Sequence, residues 1–168
     1  MHSQFLPKLS LSELIRLQEQ NDIEAVFEQL VLPIHEELYK KQDFAFIETL
    51  SPGQELLIRY DYIRMQVLQG GFIQLIQNGY INLLLAIPQM LNQVGAPEMA
   101  QLLDDVLKVY TLNFEELSKE TTVEEFAKLY EEYTEFEELD ARFAAENAQT
   151  ERAIVAYALR FPDEFMEI

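Results

Sequence analysis

The chain's 168 residues, 49% of them apolar with 11 Phe and 8 Tyr, suit one domain with an ordinary packed core and exclude a disordered acidic tail. Thirty acids against 12 bases give a formal net charge of −18, and such a surface repels nucleic-acid phosphates and anionic lipid. It attracts basic proteins and speeds their association, although acidity also serves solubility alone, and composition does not separate these two readings.

With only 5 Gly and 6 Pro and no alternating β-branched run, the pattern predicts an all-α chain, a compact multi-helix single domain over residues 1–168 with kinked helices. Ser10 or Ser12 caps a first short helix carrying Leu11, Leu14, Ile15 and Leu17, and Glu13 stands three residues after Ser10 at capping-box spacing. Asp22 caps a second helix with Val26, Phe27 and Leu30 on one face, and Pro33 is expected to kink or break it. Ser51-Pro52-Gly53 marks a boundary, Ser as cap and Pro at the first helical position.

The next helix is predicted from Gln54 to Gln69, stopped by Gly70-Gly71, and a short helix with Phe72, Leu75 and Ile76 closes at Asn78-Gly79. A helix from Tyr80 to Gln93 should be interrupted at Pro88 and stop at Gly95, and an amphipathic helix from Glu98 to Tyr110 buries Leu102, Leu103, Val106 and Tyr110. Two long helices, Thr122 to Phe143 and Thr150 to Arg160, complete the chain. Met1 to Pro7 shows no basic stretch followed by an apolar run, so no signal peptide is expected. No apolar stretch approaches the roughly 20 residues that cross a bilayer, and a cytoplasmic protein is the expectation.

Between Glu115 and Asp140 eleven acids stand against two lysines, Lys119 and Lys128, a net −9 in 26 residues. Phe126, Leu129, Tyr133, Phe136, Leu139 and Phe143 repeat at three- and four-residue steps and form the expected buried stripe. Glu124, Glu131, Glu135 and Glu138 repeat at similar steps on the opposite side, with Glu132 and Asp140 beside them. Like charges four residues apart destabilise a helix by a few tenths of a kcal/mol, so a chain shaped only for folding would interleave lysines from Glu131 to Asp140. Carboxylates four residues apart lie about 6 Å apart along a helix, of the order of phosphate spacing on a nucleic-acid strand. The alternative for such a charge run is a well-solvated helix face.

Catalytic chemistry finds no candidate residues. Without cysteine there is no disulfide, Cys-ligated zinc, iron–sulfur cluster or thiol nucleophile. Only His2 and His35 are present, without a second histidine at i+4 or a Glu-x-x-His spacing, so neither a zinc nor a di-iron site is expected. His35 reads as a helix-surface or satisfied core residue. No nucleophile elbow, phosphate-cradling glycine loop or calcium loop occurs, and the expectation is a protein that is not an enzyme and holds no cofactor.

The run from Leu56 to Gly79, in which Arg59-Tyr60-Asp61-Tyr62-Ile63-Arg64 leads into Gln69-Gly70-Gly71-Phe72-Ile73-Gln74 and then Asn78-Gly79, resembles the signature of a bacterial helical domain family, that of the DNA-mimic protein of DMP-nineteen type. In that family an Asn-Gly-Gly-Phe-x-Gln segment precedes a short aromatic helix and an Asn. The resemblance continues through Ala86, Val94-Gly95-Ala96, Leu139-Asp140-x-Arg142-Phe143 and Phe161-Pro162-Asp163-Glu164-Phe165, with the first fifty residues less distinctive. The departures are Gln69 in place of Asn, and Gly79-Tyr80 where a longer spacing follows Asn78. The resemblance implies an all-helical homodimer whose described member imitates DNA with surface carboxylates and occupies a transcription regulator.

The leading expectation is an acidic decoy that blocks a DNA-binding regulator through Glu124, Glu131, Glu132, Glu135, Glu138 and Asp140, without binding nucleic acid or membrane itself. The alternative is a general interaction or immunity-type module that neutralises a basic protein, from which DNA would not displace it.

Overall fold

A computed structural model describes residues 4–168, and His2 lies outside the described residues. Every regular element among them is an α-helix or a 3-10 turn. The all-α expectation therefore holds. The contacts divide the chain into two compact units, one formed by residues 1–58 and 149–168 and the other by residues 59–148.

In the first unit α1 (Leu11–Glu19) starts where Ser10 accepts the Glu13 backbone N–H at 3.3 Å. Glu13 does not reciprocate: its carboxylate takes Arg16 at 2.5 and 2.9 Å instead, so half of the expected capping box is absent. Asp22 caps α2 (Ile23–Lys41), accepting from the Ala25 N–H at 3.2 Å. Of the kink or break expected at Pro33, the break does not occur, and α2 runs through it. The ring's fixed φ suits a helix, and the loss is one backbone hydrogen bond in an element held by the burial of Phe27, Leu30, Val31 and Ile34.

A 3-10 turn (Phe44–Thr49) leads to Ser51 and the start of α3 (Pro52–Gln77). Here Gln54, fully buried, accepts from the Ser51 N–H and hydroxyl at 3.2 Å and donates to the Phe5 carbonyl at 2.9 Å. The Glu164 carboxylate accepts from the Gly53 N–H at 3.1 Å and the Tyr157 hydroxyl at 2.6 Å, so the chain's closing turn (Pro162–Glu164) supplies the cap that the first turn of α3 needs.

The expected separate helix from Thr150 is not found. α8 (Glu135–Arg160) is continuous, because Ala144, Ala145 and Ala148 favour the helix and nothing in that stretch breaks it. Thr150 is buried in the helix interior, not placed as a cap.

The second unit begins within α3, whose course breaks as expected at Gly70 and Gly71. Only Gly71 needs its missing side chain for backbone reasons, since its φ is +76°. Gly70 has an extended φ, and what excludes a Cβ there is the Gln74 carboxamide lying against it. After Asn78-Gly79 a 3-10 turn (Ile81–Leu84) precedes α4 (Ile87–Val94). Pro88 falls in the first turn of α4, so it starts this helix and does not interrupt one, since its missing N–H would have no partner there. Gly95, with φ 87°, ends it.

α5 (Pro97–Leu112) buries Leu102, Leu103 and Val106, and a single turn, α6 (Phe114–Leu117), follows. The core of this unit gathers around Phe143, with Tyr60 stacked on it at 6.0 Å and Phe72 edge-on at 5.7 Å, all three fully buried. Each fully buried aromatic of this kind contributes on the order of 3 kcal/mol relative to exposure.

The predicted helix from Thr122 to Phe143 is two helices, α7 (Val123–Glu132) and the start of α8. Tyr133 leaves the helical conformation (φ −104°, ψ 70°) and its hydroxyl donates to Glu116 at 2.5 Å. The break puts Glu131 and Glu135 on different helices, so they are not the i,i+4 pair of one straight helix. The buried stripe survives the bend: Leu129, Tyr133, Phe136, Leu139 and Phe143 are all buried and Phe126 is half-buried.

Candidate functional site

Of the six residues expected to contact a partner, five share one fate. Glu124 lies in the first turn of α7, Glu131 and Glu132 at its end, and Glu135 and Glu138 in the opening turns of α8, all exposed. None of the five makes a salt bridge or a side-chain hydrogen bond among the described residues. Lys119 and Lys128, the two cations of the segment, are also outside any ion pair among the described residues.

Their helical positions are not equivalent. Carboxylates in the first turns of α7 and α8 sit at the positive end of a helix dipole, which favours them by a few tenths of a kcal/mol. Glu131 and Glu132 occupy the negative end of α7, and the last turn of that helix has no base. Local helix electrostatics disfavours both of them there.

Asp140 is a correction. It was expected beside the exposed row, but it is half-buried and its carboxylate accepts the Phe72 backbone N–H at 2.9 Å. It therefore caps the helical run that restarts after Gly71. A Cβ on Gly71 would collide with Asp140 and come within 2.8 Å of the Tyr130 hydroxyl. Burial pushes the Asp140 carboxyl above its ordinary range, and the Phe72 hydrogen bond partly offsets this. Tyr130 is raised by burial and by the charge of Asp140, against a hydrogen bond from the Gln74 backbone. α7 and α8 thus each place one side chain on the glycine elbow. The signal was in the sequence: Asp140 is four residues after Phe136 and three before Phe143, in phase with the buried stripe.

Other acids of the segment are also committed. Glu125 completes a capping box with Thr122, at 3.0 and 3.2 Å. Glu116 takes the Tyr133 hydroxyl, and this bond, then desolvation, then the charges of Glu116, Glu132 and Glu135 push the phenol up to about 12. On the far side of this unit Asp105 accepts from Gln101 at 2.9 Å and Arg142 at 3.0 Å; burial pushes its carboxyl up, but these partners hold it below its ordinary value.

The sequence reading missed a cleft of about 490 Å³ between the end of α3 and the start of α7. It is lined by Gln74, Gln77, Asn78, Glu120, Thr121, Thr122, Val123 and Phe126. The Gln77 carboxamide donates to the Leu117 carbonyl at 3.0 Å and accepts from the Thr121 hydroxyl at 2.6 Å, which fastens the 118–122 link to α3. The amide-rich motif Gln69 to Asn78 hints at such a polar surface, but nothing in the sequence tells which segment faces it. Among the described residues no three His, Asp or Glu gather to hold a metal ion, and His35 is half-buried on α2. No helix among them is long and apolar enough to cross a membrane.

Helices throughout, a glycine elbow clamped by Asp140 and Tyr130, and five exposed carboxylates without a partner among the described residues define an acidic all-α protein. The chain belongs to the DMP19-like protein family, whose model matches residues 48–160. The match covers the elbow, the cleft and the acidic segment, and it ends before the Phe161–Phe165 turn that the resemblance had included. No curated protein matches the chain.

Proposed function

We propose that this protein is an acidic binding module that occupies a basic protein, and that its partner is a DNA-binding transcription regulator whose phosphate-contacting surface it covers. The observation that carries this reading is the placement of Glu131 and Glu132 at the negative end of α7, continued by Glu135 and Glu138 on α8, with no cation paired to any of them. At Glu131 and Glu132 folding gains nothing from the charge, since both sit at the negative end of α7. A partner bearing lysine and arginine does, through long-range attraction and through release of the ions that screen both surfaces. On this reading the carboxylates stand in for phosphates, the module carries out no catalysis, and neither nucleic acid nor membrane is its ligand.

The test is capture from a lysate of the source organism on the immobilised protein, followed by elution with duplex DNA at low salt. Release of a DNA-binding protein by DNA is the expected result. A partner that salt releases but DNA leaves in place would remove the decoy reading and leave a general module for basic proteins. An empty column would remove both.

A further inference from the structure

The cleft beside the acidic row has a chemistry of its own. Most of its side-chain donors are committed within the chain: Gln74 gives both carboxamide N–H groups, to Gln66 at 3.2 Å and Gln69 at 3.1 Å, Asn78 gives one of its two to Gln66 at 2.8 Å, and Gln77 gives one of its two to Leu117. The Thr121 hydroxyl proton is directed to Gln77. What stays uncommitted is mostly acceptor: the Asn78 carbonyl oxygen and the exposed Glu120 carboxylate, neither hydrogen-bonded among the described residues. The N-terminus of α7 offers an anion little here, because Thr122 and Glu125 already cap it. One wall is apolar, formed by Val123, which is 87% exposed, and by the half-buried Phe126 ring.

We propose that this cleft is an anchor site for an arginine side chain of the partner. A guanidinium presents five donors and no acceptor, has a flat face suited to an aromatic ring, and is carried on an aliphatic stem that Val123 can cover. In the cleft its N–H groups reach Glu120 and the Asn78 oxygen while the plane lies against Phe126. A lysine ammonium offers the same charge but neither the flat face nor the fork. The anchor deepens the proposed function and rests on it only for the nature of the partner: the row supplies attraction without register, and the cleft supplies a fixed point.

The probe is a pair of blocked peptides, tetra-arginine and tetra-lysine, titrated into the full chain and followed by amide NMR. The expected result is an arginine preference of about five-fold, with the Asn78 and Gln74 side-chain amide signals moving only for the arginine peptide. The Asn78→Ala and Glu120→Gln variants, both at exposed positions, should each reduce that preference towards one without changing the remaining spectrum. Phe126→Ala should do the same, and its spectrum reports whether α7 is intact. Equal binding of both peptides, with shifts confined to the α7–α8 carboxylate row, would overturn the anchor and leave the acidic-surface reading standing. Arginine binding in the cleft with no response from Glu131 to Glu138 would keep the anchor and count against the row. No binding by either peptide would overturn both.

Discussion

The carboxylates of residues 1–58 and 149–168 and those of the acidic segment differ in how many of them the fold uses. In the first set Glu164 caps α3, Asp22 caps α2, Asp43 caps the 3-10 turn, and Glu13, Glu37 and Glu167 pair with Arg16, Lys41 and Lys8. In the segment from Glu115 to Asp140 three acids do comparable work, Glu116, Glu125 and Asp140, while the other eight, Glu124, Glu131, Glu132, Glu135 and Glu138 among them, have no hydrogen bond or ion pair among the described residues. Between the two units as wholes, acid content differs little. Residues 59–148 hold sixteen acids against six bases, net −10, and the other residues hold fourteen against six, net −8. What separates the first set from the segment is proportion, and that depends on the fold. Glu19, Glu28, Glu36, Glu48 and Asp163, five of the first set's fourteen acids, have no hydrogen bond or ion pair among the described residues, against eight of the eleven in the segment.

The comparison can be broken most forcefully at the elbow that holds α7 and α8 in place. Phe72→Ala removes a fully buried ring from Phe143 and should cost about 3–5 kcal/mol in urea unfolding. A loss under about 1 kcal/mol would mean that the motif is not a packing device. Glu164→Ala leaves the Gly53 N–H and the Tyr157 hydroxyl without their acceptor, and the expected cost is about 1–3 kcal/mol. Changing Glu131, Glu135 and Glu138 together to Lys should, by contrast, leave stability within about 1 kcal/mol of the parent, since lysine is favoured at one position at the end of α7 and disfavoured at two at the start of α8, each by a few tenths of a kcal/mol. If the triple change costs as much as the single one at Glu164, the division between committed and uncommitted carboxylates fails.

Two pH measurements sharpen the same division. The folded-state carboxyl of Asp140 is raised above its ordinary 3.8. Its contribution therefore favours folding below that value and is lost as pH rises through the raised folded value. Asp140→Asn, which can still accept the Phe72 N–H, should gain on the parent as pH rises from 3.8 towards neutrality; a constant stability difference would contradict the burial assigned to Asp140. Tyr133, pushed up to about 12, contributes stability that is present below its ordinary 10.0 and lost between there and about 12. Glu116→Gln should bring the phenol's titration back towards 10.0 in ultraviolet difference spectra.

Much of this fold was legible because helix signals are local. Ser10, Asp22, Ser51 and Thr122 stand immediately before helices, and Gly71 and Gly95 take the left-handed conformations that only their neighbours' spacing suggested. The failures lie where a distant partner decides. Tyr133 bends the chain through Glu116, seventeen residues before it, and the expected single helix becomes two. Asp140 reads as one more surface acid until the Phe72 N–H, 68 residues earlier, is placed against it. Pro33 was expected to kink or break a helix, and the break does not occur because the buried face outweighs one missing hydrogen bond. The exposed row was legible as a charge excess, but its lack of partners is a tertiary fact, and the cleft joins segments about forty residues apart in sequence.

The central claim is that the α7–α8 carboxylates serve a partner and not the fold. Its most direct test is the affinity for the captured basic partner measured across a range of salt, for the parent and for the Glu131→Lys, Glu135→Lys, Glu138→Lys variant. The account predicts a steep loss of parent affinity with salt, and a variant that unfolds at the same urea concentration within about 1 kcal/mol yet binds at least tenfold more weakly and with a flatter salt dependence. A variant that binds as tightly as the parent, with the same slope, would contradict it.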